Sequence, residues 1–312
     1  MDFAKNGFTV KPLLRYYEDS VESPLPAVPN IIDGLLRERG RLVIGGEPGV
    51  GKSLLALQLC WCFATGAPWV GLPVVQRLRT LYVQTELEAD QVEDRWKSQA
   101  EEFPALERGW LAHYYAVPWI WNDQVEHLVD VILKGNFEAL VLDPFSAICE
   151  IEDENDNAKM NKILYQELDG IKRYCDLKAM VLVHHFRKPQ PMQYATPPSL
   201  ASLRGAGLGQ WCDAFVGLLG SREHNDALLM FDKVRAFGPM DKLMVTRDDS
   251  TLIYKDATWQ TEAVHEVMAD GEWHMRDELQ RELGMSRERL NSIVRDSDTI
   301  EVGSRGRIKR VQ

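Results

Sequence analysis

The chain has 312 residues, 45% of them hydrophobic and 27% charged, with a formal net charge of -11. That length leaves room for a full domain with an appendage and a sizeable core. The acidic balance excludes a protein coated over its whole surface by nucleic acid, while a local basic groove or a ring lumen stays compatible with it. No run of eighteen apolar residues occurs, and residues 1–15 lack the basic start, apolar core and small-residue cleavage site of a signal peptide. An intracellular, cytoplasmic location without membrane contact is therefore expected. Cys60, Cys62, Cys149, Cys175 and Cys212 form no CxxC pair, so they read as buried or incidental thiols rather than as a zinc site or disulfide framework.

Residues 1–30 mix charges, aromatics and Pro24, Pro26 and Pro29, a pattern that predicts an extended arm suited to packing on a neighbouring subunit. Residues 31–258 then alternate apolar runs with helix-period segments, the pattern of an α/β domain with a mostly parallel sheet. Strands are expected at 41–45, 79–85, 112–117, 139–143 and 179–184, with helices at 53–65, 89–102, 122–134 and 158–175. Beyond Cys212 closely spaced strands follow, at 214–219, 227–235, 242–247 and 251–255, as antiparallel pairs extending one sheet edge. Two long irregular segments interrupt the scheme. Residues 146–157 are acidic and residues 187–206 are rich in proline, and loops of that length in a compact domain are usually functional or disordered.

Residues 259–312 read as a separate small domain of three helices and a hairpin, the order of a winged helix-turn-helix. Ala263, Val264, Val267 and Met268 stripe the first helix, Leu279 and Leu283 the second, and Leu290, Ile293 and Val294 the third. The hairpin tip is basic through Arg305, Arg307, Lys309 and Arg310. A compact oligomerisation or docking module is the alternative use of the same architecture.

The chemistry concentrates at Leu42 to Leu57. An apolar strand feeds Gly46-x-x-x-x-Gly51-Lys52-Ser53, and an apolar helix leaves it. Glycines without Cβ let successive N–H groups wrap a polyphosphate, while the new helix adds unpaired donors and the positive end of its dipole. Lys52 is placed to reach the β and γ phosphates, and the Ser53 hydroxyl to coordinate Mg²⁺. Asp143 ends a second apolar strand, where a carboxylate can hold Mg²⁺ through water; alone it would read as the start of a turn before Pro144. Glu86, at the end of a third strand, can orient and deprotonate an attacking water, with Glu88 as its competitor and dipole complementation as the plainer role. His184-His185 ends a fourth, where a histidine can sense the γ-phosphate or simply serve the core.

At these residues the chain resembles the RecA-fold hexameric ATPases, in particular the RepA-type plasmid and phage replicative helicases. The resemblance spans about residues 29–254. It rests on an ordered set: Gly46 to Ser53, Tyr82 to Glu86 with Arg95 downstream, Leu142-Asp143-Pro144, Asp153 to Asn157, His184 to Lys188, Arg204 to Gly207 and Lys233 to Arg235. It implies a RecA-like P-loop NTPase core, with ATP held by Gly46, Glu47, Pro48, Gly49, Val50, Gly51, Lys52, Ser53 and Leu54, and Mg²⁺ by Ser53 and Asp143. It further implies Glu86 as the catalytic carboxylate. His185 is the implied γ-phosphate sensor, preferred to His184 because the family's histidine stands three residues before a basic residue, here Lys188. Arg204, or else Lys233 and Arg235, is the implied finger reaching a neighbour's nucleotide. The partners it implies are DNA and further copies of the chain, as a hexamer. The chain departs from the helicase pattern in the arm, the tail and Phe186-Arg187. A recombination mediator and a nucleotide-switched DNA-binding regulator remain alternatives.

Overall fold

The computed structural model describes residues 14–115, 121–149, 157–186, 200–203, 206–220, 225–283, 285, 287–297 and 299–311. Its centre is a nine-stranded sheet. Five of the strands are β3 (Gly40–Gly46), β4 (Thr80–Gln84), β5 (Leu111–Tyr115), β6 (Ala139–Asp143) and β7 (Ala179–His185). The other four are β8 (Ala214–Gly220), β9 (Asp226–Val234), β10 (Leu243–Arg247) and β11 (Tyr254–Asp256). Across the sheet the order is β11, β10, β9, β8, β3, β7, β6, β4, β5. Pairing is parallel from β5 to β8 and antiparallel from β8 to β11. A hairpin, β1 (Asn30–Ile32) with β2 (Leu36–Arg37), precedes it and buries Ile31, Ile32, Leu35 and Leu36.

β6 and β7 are apolar along nearly their whole length because helices cover both faces of the parallel part, leaving no solvated side to reward alternation. On one face lies α2 (Lys52–Thr65), apolar all round and almost wholly buried. It packs with the hairpin and with α3 (Ala89–Ala100), reached through Trp96 and Ala100. The opposite face carries α4 (Trp121–Gly135), the short α5 (Phe145–Ile148) and the run from α6 (Asn157–Asn161) to α7 (Asp169–Tyr174). α8 (Ala206–Trp211) closes that second layer with Leu208 and Trp211.

Three expected elements differ in detail. The helix foreseen over 158–175 contains a π-helical stretch, Lys162–Leu168, which buries Ile163, Leu164 and Leu168. The arm is not extended throughout: α1 (Tyr17–Glu22) is a helix, nucleated where the Asp19 carboxylate accepts the Tyr16 N–H at 3.1 Å and where Glu18 and Asp19 complement the dipole. The strand foreseen from Thr251 starts only at Tyr254, because the Asp248 carboxylate gathers the Ser250 and Thr251 N–H groups into a turn first. That carboxyl is held down to about 2 by these hydrogen bonds, the Ser250 hydroxyl foremost. Residues 116–117, 150–156, 187–199 and 204–205 of the expected strand and loops lie outside the described residues.

At the C-terminal end α9 (Thr258–Val267), α10 (Arg276–Leu283) and α11 (Arg287–Asp296) pack with a three-stranded sheet. Its strands are β12 (His274–Met275), β13 (Ile300–Val302) and β14 (Arg307–Arg310), with β14 in the middle. Val264, Met268, Leu279, Leu290 and Ile293, from the stripes visible in the sequence, form a core of their own with Ile308 of β14. Among the described residues no helix is long and apolar enough to cross a membrane.

Candidate nucleotide site

β3, β4, β6 and β7 all end at the same sheet edge, and register fixes what they bring there. Gly46 stands beside His185, and Gln84 beside Asp143. Because side chains alternate, Tyr82, Val141 and Val183 face the α2 layer while Val83, Leu142 and Leu182 face the other. Asp143 and His185 therefore share the α2 side. His184 points the opposite way, wholly buried with its ring 5.7 Å from that of Phe145. Of the two histidines, register places only His185 on the face of the loop.

The loop from Gly46 to Ser53 needs its glycines for different reasons. Gly49 and Gly51 have φ of 82° and 98°, which favour glycine. A Cβ on Gly46 would press on the Leu218 carbonyl. α2 starts at Lys52 with Gly51 as its N-cap and no side-chain cap, so its first-turn N–H groups face the loop unclaimed by any side chain. Lys52 is buried, and its Nζ donates to the Glu47 carbonyl at 2.7 Å. Burial lowers its ammonium to about 8, against the opposing charges of Asp143, Glu86 and Glu47.

Asp143 is buried as well. Its Oδ2 accepts the Tyr82 hydroxyl at 2.6 Å, and Ser53 is a second hydrogen-bond partner. Burial raises its carboxyl, while Tyr82, Ser53, Lys52 and Arg95 pull the other way. Glu86 lies just past β4, open to solvent yet within reach of both charges. Partial desolvation and then Asp143 push its carboxyl above the usual range, and Lys52 opposes them. Glu88 is engaged elsewhere, accepting the Tyr115 hydroxyl at 2.8 Å, so the competing carboxylate is turned away from Lys52. The residues fit a magnesium nucleotide: a hydroxyl and a buried carboxylate supply hard oxygen donors, and uncapped N–H groups with a buried ammonium suit phosphates.

The candidate finger residues lie apart from this edge. Lys233 pairs in register with Phe215, which stands beside Val43, three residues before Gly46 along the strand. Its Nζ donates to the Gly209 carbonyl at 2.7 Å, and Arg235 donates to Asp213 Oδ1 at 2.9 Å and the Gln210 carbonyl at 3.0 Å. Both basic groups thus serve the C-terminal end of α8 in their own chain. Arg204 and Lys188 lie outside the described residues.

Sequence reasoning named Tyr82 only as part of a motif, with no role, and missed Gln58 and Tyr254. The Tyr254 hydroxyl donates to the Val50 carbonyl at 3.0 Å, from a strand about 200 residues later. The only signal for Tyr82 was its place four residues before Glu86. Nothing local marked Tyr254.

A family model described as an AAA domain matches residues 11–191, more than half of the chain. The chain belongs to the AAA domain family. Among solved structures it is similar to the crystal structure of KaiC-like protein PH0186 from the hyperthermophilic archaeon Pyrococcus horikoshii OT3. The TM-score is 0.50 at 16% identity, over 73% of this chain and 95% of that one. At such identity the likeness concerns the fold, and it agrees with a RecA-like core in this AAA domain protein. No curated protein matches the chain in sequence.

Proposed function

We propose that this AAA domain protein is a Mg²⁺-dependent ATPase that acts on DNA as a homo-oligomer, a hexamer of the RepA helicase type, inside the cell. The observation that carries the ATPase reading is the buried Lys52 and Asp143 pair, set beneath an uncapped helix N-terminus with Glu86 at its rim. Glu86 is the group to hold and deprotonate the attacking water, its raised carboxyl being better matched to that task than an ordinary glutamate. Lys52 and the α2 N–H groups hold the phosphates, Ser53 and Asp143 would hold Mg²⁺, and His185 is the sensor. Mg²⁺ supplies charge neutralisation on the phosphates.

The DNA reading rests on the ordered helicase-like motifs and on the C-terminal unit, whose helix and strand order is that of a winged helix. Its hairpin carries Arg307 stacked at 5.6 Å and Lys309 at 4.8 Å on the Trp273 ring. A finger contributed by a neighbouring subunit would complete each site, from Arg204 or from Lys233 and Arg235.

Steady-state ATPase assays with and without single-stranded DNA, beside unwinding of a forked duplex and light-scattering mass, test this. DNA-stimulated hydrolysis and unwinding, both lost in Lys52→Ala, are expected. Glu86→Gln should still bind ATP but lose turnover by roughly 100-fold or more. ATPase without strand separation would mean a recombination mediator. The run of β11 into α9 across Ala257 alone favours a second reading, a nucleotide-switched DNA-binding regulator. Slow hydrolysis indifferent to DNA would select it.

A further inference from the structure

The geometry points to Tyr254 as the positioning residue of the phosphate loop: a post, clamped by Gln58, that holds the Val50–Gly51 turn in its nucleotide-binding shape. The inference rests on the ATPase reading and adds a residue to it. Tyr254 is buried although it belongs to the last strand of the sheet, four strands from β3. Its backbone is held by one side chain. Gln58 Nε2 donates to the Tyr254 carbonyl at 2.7 Å, and the Tyr254 N–H donates to Gln58 Oε1 at 2.9 Å. Gln58 is itself buried, seven residues into α2 from Gly51, which is about 10 Å along a helix axis.

The tyrosine spans that interval. Its backbone is anchored at the level of Gln58 and its hydroxyl reaches the N-terminal end of the helix, donating to the Val50 carbonyl at 3.0 Å. The hydroxyl also fills the space where a Cβ on Gly51 would stand, a second reason for glycine there beside its positive φ. A second glutamine braces the same segment: Gln99 Nε2, from α3, donates to the Leu54 carbonyl at 3.0 Å and the Leu252 carbonyl at 3.2 Å. Two buried amides thus lock the approach to β11 onto the first turns of α2. A sheet needs no such clamp at its edge; a loop that must present its N–H groups in one arrangement does.

The test is ATP turnover and binding of a fluorescent ADP analogue by the full chain, as wild type, Tyr254→Phe and Gln58→Leu. Tyr254→Phe keeps the ring and removes only the hydroxyl. It should raise the KM for ATP and the analogue's dissociation constant by roughly five- to tenfold while kcat changes less than about threefold, the pattern of lost positioning in binding. Gln58→Leu should move KM the same way, and the double variant should fall short of the product of the two, because both act through one post. If the variants lower the melting temperature yet leave KM and the dissociation constant at wild-type values, Tyr254 is a packing residue and the inference is overturned. A wild-type protein that neither binds the analogue nor turns over ATP overturns the ATPase reading, and this inference with it.

Discussion

Two clusters of charge sit at opposite edges of one sheet, and they differ in how their groups are paired. At the edge where β3 begins, Arg41 forks onto Asp213 through Nε at 2.9 Å and Nη2 at 3.1 Å, and reaches Asp169 through Nη1 at 3.2 Å. Arg235 adds a second cation to Asp213, Lys172 approaches Asp169 at 3.8 Å, and the Arg41 guanidinium lies 5.1 Å from the Trp211 ring. Each charge faces its opposite, and the guanidinium of Arg41 stays firmly protonated. At the edge where β3 ends, the buried Lys52 donates to a single carbonyl, and burial has cost it much of its proton affinity. Asp143 is raised by burial too. Burial lowers Lys172 at the first edge as well, so a shifted proton affinity alone does not separate the edges. What separates them is pairing, since the carboxylates of the first edge are matched by cations of the same chain while Lys52 donates to one carbonyl beneath an uncapped helix N-terminus.

Removing charge at each edge should separate the two. Lys52→Ala should lower ATP turnover by roughly 100-fold or more, as loss of a phosphate-holding cation does. The same change should leave the nucleotide-free protein at least as stable as wild type, since a poorly compensated buried ammonium is gone. Asp213→Ala should do the reverse: it removes the forked partner of Arg41, which keeps only Asp169, so unfolding in urea should show a loss of about 2 kcal/mol while KM and kcat well below melting stay near wild type. Similar stability losses at both edges would end the distinction.

Arg235→Ala sharpens the comparison. Its side chain is half exposed, so solvent screening limits its stabilising effect to about 1 kcal/mol or less. A finger role would add a fall in turnover per subunit that appears only in the assembled state. Full activity in the assembly, with Arg204→Ala inactive, would place the finger at Arg204.

The same comparison explains what the sequence made legible. Loop, aspartate, glutamate and histidine could be read because each ends an apolar run, and a parallel sheet brings such ends together. The C-terminal stripes were readable because a small helical core leaves period-3.6 traces at Val264, Leu279 and Leu290. The pairing of Arg41 with Asp213 was not, since 172 residues separate them and neither carries a local motif. Tyr254 was hidden for the same reason: a buried tyrosine on an expected strand looks like core until the fold brings its hydroxyl against Val50. His185 could be preferred to His184 from the resemblance, but the reason, alternation across β7, needed the register of the sheet.

A further expected effect is one of pH, and it again divides the edges. Lys52 sits at about 8 in the folded chain, below the ordinary 10.5. Between those values the unfolded chain binds more protons than the folded one, so the nucleotide-free protein should gain stability as pH rises from about 8 towards 10.5, by up to about 3 kcal/mol from this group. Nucleotide binding should run the other way. Phosphates need the charged ammonium, so affinity for ADP should be flat below pH 8 and fall by up to about tenfold per unit above it, as the free protein's Lys52 loses its proton first. Lys52→Ala should bind weakly with no such slope, and Asp213→Ala should keep the slope, because it leaves the ligand edge untouched. A fluorescent ADP titration from pH 7 to about 9.5 reads both. A wild-type slope that survived in Lys52→Ala would move the titrating group away from the phosphate loop.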